Sequence, residues 1–124
     1  MTPPSGDDEI DVNRARRRLE DILQDEDALW TKITQTRLDE ILKLHGEYAK
    51  GNLGGKLASF KFLDMSYLDL SRRNINQADF TGARCEYANI SDTKLRAANF
   101  YAADLRFANL AGSDLTRSDL RGAC

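Results

Sequence analysis

The sequence predicts an all-β solenoid preceded by a helical segment, and three observations predict it. From Phe60 onward every fifth residue is apolar: Phe60, Met65, Leu70, Ile75, Phe80, Cys85, Ile90, Leu95, Phe100, Leu105, Leu110, Leu115 and Leu120. With 41% apolar content, such a run has a chance probability on the order of 10⁻⁵ in a given frame. Two residues before most centres stands a small residue: Ala58, Ala78, Ala83, Ala88, Ala98, Ala103 and Ala108, with Thr93, Ser113 and Ser118 as substitutes. Immediately before the centre the residue is usually Asp or Asn.

A period of five suits neither a helix, whose period is 3.6, nor a strand, whose period is 2. A solenoid accommodates it. Each five-residue unit turns one corner, so the centre and the small residue both point inward. Asp and Asn suit the bends, where their side chains bond nearby backbone groups.

Runs such as Ala78-Asp79-Phe80, Ala98-Asn99-Phe100, Ala103-Asp104-Leu105 and Ala108-Asn109-Leu110 resemble the repeating unit of the pentapeptide-repeat family. The resemblance covers the last half of the chain without a gap. It implies a right-handed, four-sided parallel β-helix with four units per coil. Residues 57–124 would then make about three coils, a rod only about 16 Å tall at the ~4.8 Å strand spacing.

Residues 1–11 hold both prolines of the chain and four acidic residues and read as a flexible acidic tail. Residues 12–51 read as a helical segment that ends in an N-terminal cap. From Val12 to Gln24, Ala15, Leu19, Ile22 and Leu23 fall on one side, and Arg14, Arg16, Arg17 and Arg18 read as a solvated face. Leu29, Trp30 and Ile33 are candidates to continue the apolar stripe, in one helix or two. A second helix is marked by Thr36 with Asp39 as a capping box and by Leu38, Ile41, Leu42, His45 and Tyr48 at helical spacing. Gly51 is its expected stop.

This second helix is the expected cover for the first coil, because a terminal coil exposes apolar cross-section and unpaired strand edges. Leu63 and Leu68 are bulky at the small position, both in that coil. Arg73, charged in the same column, is expected to reach a helix carboxylate such as Asp39 or Glu47. His45 reads as a polar-tipped residue of the cap.

The function classes narrow quickly. The formal charge is -2, and the repeats carry nine basic against eight acidic residues. Direct nucleic-acid binding is therefore not expected, and neither is a membrane span. No acidic start of this kind carries a secretory signal, so a cytoplasmic location is the default. Two cysteines and one histidine supply no metal cluster, and no nucleophile stands beside a base. No catalytic, cofactor or metal residue is assigned.

What stands out is an outer column. The position two after each centre is usually polar or small, but Tyr67, Tyr87 and Phe107 are aromatic and twenty apart. In four-unit coils they would lie one above another. Phe62 and Tyr101 fall on the adjoining side. These five are the candidate interaction surface for an unknown protein partner, which makes the expected function a non-enzymatic interaction or scaffold module. The alternative is a DNA mimic that binds a topoisomerase such as gyrase, as quinolone-resistance members of the family do. The family also implies dimerisation through the carboxyl-terminal end, and Leu115 and Leu120 are the candidate residues for that contact.

Overall fold

A computed structural model describes residues 30–124. The expected acidic tail, the helical stretch from Val12 to Gln24 with its arginines, and Leu29 lie outside the described residues. Along the repeats, parallel bridges join residues twenty apart, from Ser59 with Asp79 through Asn99 with Asp119. Twenty residues per coil and five per unit give four sides. The first side stacks Phe60, Phe80, Phe100 and Leu120; the second Met65, Cys85 and Leu105; the third Leu70, Ile90 and Leu110; the fourth Ile75, Leu95 and Leu115. From Phe60 to Leu105 each centre donates its N–H to the coil below, as Phe60 does to Asp79 O at 2.7 Å and Phe80 to Asn99 O at 2.6 Å. From Asp79 onward the residue before each centre donates upward, as Asp79 does to Ala58 O at 3.1 Å. Along the sides, backbone polar groups are thus satisfied between coils.

The corners are tight turns. Leu63 N–H donates to Phe60 O at 3.1 Å, and the same three-residue closure recurs at Ala83 to Phe80 and Ala103 to Phe100. The residue two after each centre takes a positive φ at every unit: Phe62, Tyr67, Arg72, Gln77, Tyr87, Asp92, Ala97, Ala102, Phe107 and Arg117, with Gly82, Gly112 and Gly122 at the others. A closing bond with positive φ at the third residue is the pattern of a type II turn. The Asp and Asn column stabilises the approach to these turns. In all ten units that have one, its side-chain oxygen accepts the N–H two residues on, as Asp64 does from Ser66 at 3.0 Å and Asp119 from Arg121 at 3.1 Å. This is the local bonding that the sequence predicted for those residues.

The core is the stack of centres. From Phe60 to Phe100 they are fully buried, together with the alanines of the small column from Ala58 to Ala103. Phe80 lies between Phe60 and Phe100, with ring centroids at 4.9 and 4.5 Å. Polar substitutes in the small column find carbonyls inside: Thr93 Oγ1 donates to Leu70 O at 3.0 Å and Ser118 Oγ to Leu95 O at 2.7 Å. Burying a hydroxyl is tolerable only with such a partner.

Ahead of the repeats, strand β1 (Thr31–Lys32) pairs in parallel with β2 (Leu63–Asp64) on the first coil. This corrects one expectation. Trp30 and Ile33 do not continue a helical stripe; they flank an extended segment that adds a strand to the second side. The reason is that the exposed edge of the first coil offers backbone partners, and Ile33 N–H takes one, Asp64 O, at 3.3 Å. Helix α1 (Gln35–Ala49) follows. Its N-cap is Thr34, whose hydroxyl accepts from Arg37 N–H at 3.1 Å, so the expected cap at Thr36 is displaced by two residues. Asp39 is not part of a capping box, because Arg73 and Gln35 occupy its carboxylate at 3.1 and 3.0 Å.

The helix ends where expected. Gly51 has φ +76, its N–H reaches Tyr48 O at 2.9 Å, and Asn52 N–H reaches Glu47 O at 3.0 Å, the paired bonds of a Schellman motif. Leu38 and Leu42 are buried in the same cluster as Phe60 and Met65, with Leu63 and Leu68 half-buried beside them.

Candidate interaction face

On the second side, the left-handed turn position sets Tyr67, Tyr87 and Phe107 at the corner in successive coils. The ring centroids are 5.2 Å apart between the tyrosines and 4.8 Å between Tyr87 and Phe107, with planes tilted by 11° and 13°. Parallel strands repeat at about this distance, so the backbone itself sets the stacking geometry. Each pair contributes about 0.5–1.5 kcal/mol beyond its burial. The rings nevertheless stay at the surface, 74%, 50% and 71% exposed. A contiguous exposed aromatic column differs from scattered surface aromatics, which need no explanation.

The charges beside this column are matched to one another. Arg106 Nη2 lies 2.7 Å from Asp104 Oδ2 and 2.9 Å from Glu86 Oε1. The hydrogen bond from the Arg106 side chain holds the Asp104 carboxyl below the usual carboxylate range. Lys61 pairs with Asp79 at 3.5 Å on the neighbouring side, and Arg121 with Asp119 at 2.7 Å.

Phe62 and Tyr101 are placed differently from the ladder. Both belong to the first side, in different columns. The Phe62 ring covers Gly82, where an added Cβ would lie 2.4 Å from it. Tyr101 lies under the Arg121 guanidinium, 5.9 Å from its ring centre. Neither stacks on the three-ring column. Leu115 is half-buried and Leu120 is 44% exposed.

Sequence reasoning missed Trp30. Its indole N–H donates to Gly82 O at 2.7 Å, and the Arg84 guanidinium sits 3.9 Å above its ring. The second side is therefore bounded by aromatic rings at both corners. The contact joins residues 52 positions apart and leaves no mark in the five-residue pattern.

The two thiols are free, Cys85 buried and Cys124 exposed, and burial pushes the Cys85 thiol up to about 12. Among the described residues, no group of three His, Cys, Asp or Glu side chains is placed to hold a metal, and no helix is long and apolar enough to cross a membrane.

A family model described as pentapeptide repeats matches residues 58–96 and 98–124, in eight copies. A search of curated proteins found no significant match. Among solved structures, a pentapeptide repeat protein (Rfr23) from the cyanobacterium Cyanothece 51142 aligns with a TM-score of 0.54 at 28% identity, covering 56% of this chain and 47% of that one. A pentapeptide repeat protein from the Arabidopsis thaliana thylakoid lumen is 38% identical over 48% of this chain and 38% of its own, with a TM-score of 0.33. HetL, a pentapeptide repeat protein involved in heterocyst differentiation regulation in Nostoc sp. strain PCC 7120, is 24% identical over 54% of this chain and 42% of its own, with a TM-score of 0.33. The chain spans less than half the length of each of these three.

Proposed function

The chain belongs to the pentapeptide-repeat family, whose members form right-handed quadrilateral β-helices, and we propose that its rod is a non-enzymatic scaffold that presents its second side to a protein partner. The observation that carries this reading is the stacked, exposed ladder of Tyr67, Tyr87 and Phe107. Rigid aromatic side chains supply contact area at little entropic cost, and the backbone has already fixed these three. Family members are generally non-catalytic structural modules, which supports the non-enzymatic part.

In this reading α1 is the N-terminal cap of the rod. Each exposed edge of the first coil has its own partner. β1 pairs with the second side. The Gln35 amide imitates a strand on the third, accepting Asp69 N–H and donating to Asp69 O, both at 2.8 Å. Asp39 holds Arg73 at 3.1 Å. His45 accepts Ala58 N–H at 2.9 Å. The free thiols favour the cytoplasm. A second copy of the chain is the proposed neighbour of Leu115 and Leu120.

The DNA-mimic alternative has less support. A duplex carries one negative charge per ~1.7 Å of its axis, whereas here Arg106, Lys61 and Arg121 offset the carboxylates around them. Cross-linking in lysate with three proteins tests the scaffold: the unmodified chain, Tyr67→Ser with Phe107→Ser, and Arg96→Ser on the fourth side. A partner captured by the first and third but lost by the double variant supports the ladder. Equal capture by all three refutes it, and inhibition of gyrase supercoiling by the unmodified chain would favour the mimic instead.

A further inference from the structure

His45 is the single histidine of the chain, and it is 1% exposed. Its Nδ1 accepts the N–H of Ala58, the residue that opens the first repeat, at 2.9 Å. In later units the equivalent N–H closes a turn, as Ala78 N–H does on Ile75 O. Ala58 has no repeat before it, and the imidazole takes the place of that carbonyl. An accepting Nδ1 fixes the neutral tautomer with its proton on Nε2. The same ring shares a cleft with Asn76, at the end of the fourth side. One neutral ring thus ties α1 to the start of the first coil.

We propose that His45 is a proton-operated latch, holding α1 on the first coil at neutral pH and releasing it in mild acid. Protonation places a hydrogen on Nδ1, directly against the Ala58 N–H. Two donors then face each other, and the Ala58 amide is left buried without an acceptor. Among the described residues, the groups that line the cleft beside the ring carry no charge to compensate the new one. From α1 the ring faces Tyr48, with centroids 5.8 Å apart. From the coil it faces Asn74, Asn76 and Gln77, all uncharged, across a cleft of about 310 Å³ that also touches Tyr48 and Ala49. The helix carboxylates are engaged elsewhere, Asp39 with Arg73, Glu40 with Arg37 and Glu47 with Asn52. The cleft gives water a route to the ring.

Burial pushes the imidazole below its ordinary value of 6.5, with the polar backbone of Asn76 opposing. A folded-state value below the unfolded one means the latch is at full strength above pH 6.5 and is lost as the pH falls through the folded value. Release uncovers Leu38 and Leu42 on the helix and Phe60 and Met65 on the coil. The coil-to-coil ladder below does not involve His45, and β1 keeps its pairing with the second side, so the rod itself should persist. The latch depends on the contacts of α1 and is independent of the aromatic face.

The test is amide and imidazole NMR on the full chain between pH 8 and 5. The Asp69, Asp104, Asp114 and Asp119 carboxyls titrate below this range. The expected result is an imidazole midpoint below 6.5. Exchange protection should be lost in parallel at Ala58, Leu38 and Leu42, while Ile90 and Leu95 stay protected. In His45→Gln, a side chain that accepts and donates without titrating, protection at Leu38 should no longer depend on pH over this range. Titration of His45 with α1 still protected would overturn the proposal. So would loss of α1 at the same pH in His45→Gln. Should that variant fail to fold, the unmodified protein's titration decides alone.

Discussion

Phe80→Ala tests the register of the whole rod. Phe80 is fully buried, with a neighbouring ring above at 4.9 Å and below at 4.5 Å. Truncation to alanine removes about 150 Å² of buried apolar surface, which at ~25 cal/mol/Å² is worth about 4 kcal/mol. Two ring pairs are lost as well, at about 0.5–1.5 kcal/mol each, while partial collapse of the coils recovers some of the loss. The expected destabilisation is about 3–5 kcal/mol, a large part of the ~5–15 kcal/mol that holds a domain together. Arg96→Ala, on the outside of the fourth side, should cost about 0.5 kcal/mol or less. Urea titrations followed by circular dichroism would compare the two midpoints. Equal shifts would mean that the centres are not the core and that the five-residue count is misassigned.

Other perturbations follow from the same geometry. Ala97 is exposed at φ +58, so Ala97→Gly should stabilise by about 0.5 kcal/mol, the relieved strain outweighing added chain entropy; a lower melting temperature would contradict the turn assignment. Deleting residues 1–50 removes every partner of the first-coil edges and should yield aggregation, while deleting residues 1–10 should leave the melting curve unchanged; a soluble, cooperatively folding 51–124 fragment would make α1 an appendage. Leu115→Glu or Leu120→Glu should shift the sedimentation mass from dimer to monomer while Tyr67→Glu does not, and a monomeric unmodified protein at tens of micromolar would end the dimer idea. In strong acid the sign is set by Asp69, held low first by the Ser71 hydroxyl, and by Asp119, held low first by Arg121. Their contribution is present above the ordinary carboxylate value and lost as the pH falls below it, so denaturation midpoints should decline below about pH 4.

The repeats were legible because one constraint recurs in every unit. The centres recur in thirteen units, and the small residue and the Asx bend in ten each, which amplifies the mark each leaves. Arg73 was legible for the opposite reason: a charge in an inward column must escape, and Asp39 lay within reach. The positive φ column was not legible, since it holds Phe, Tyr, Arg, Gln, Asp and Ala as well as glycine. The coil ladder imposes that conformation against local preference. β1 was hidden because two paired residues are too few to show alternation. The N-cap was misplaced because Thr34 and Thr36 both suit the role, and the choice turned on Asp39 being drawn to Arg73. In the candidate face, twenty-residue spacing aligned the ladder, but the Trp30 contact spans 52 positions and has no periodic signature.

The twenty-residue register gives the rod a phase. Loss of a whole coil shortens the rod and leaves every column in line. Loss of a single unit keeps the core pattern intact but turns all that follows by a quarter revolution. Removal of residues 68–72 would carry Tyr87 and Phe107 off the second side and leave Tyr67 alone there. They would arrive in the column that Phe62 shares with Gly82 and Ala102. A new ladder of Phe62, Tyr87 and Phe107 would then stand on the first side, assembled without a single substitution. In such a rod, a change in length is also a change in which face is displayed.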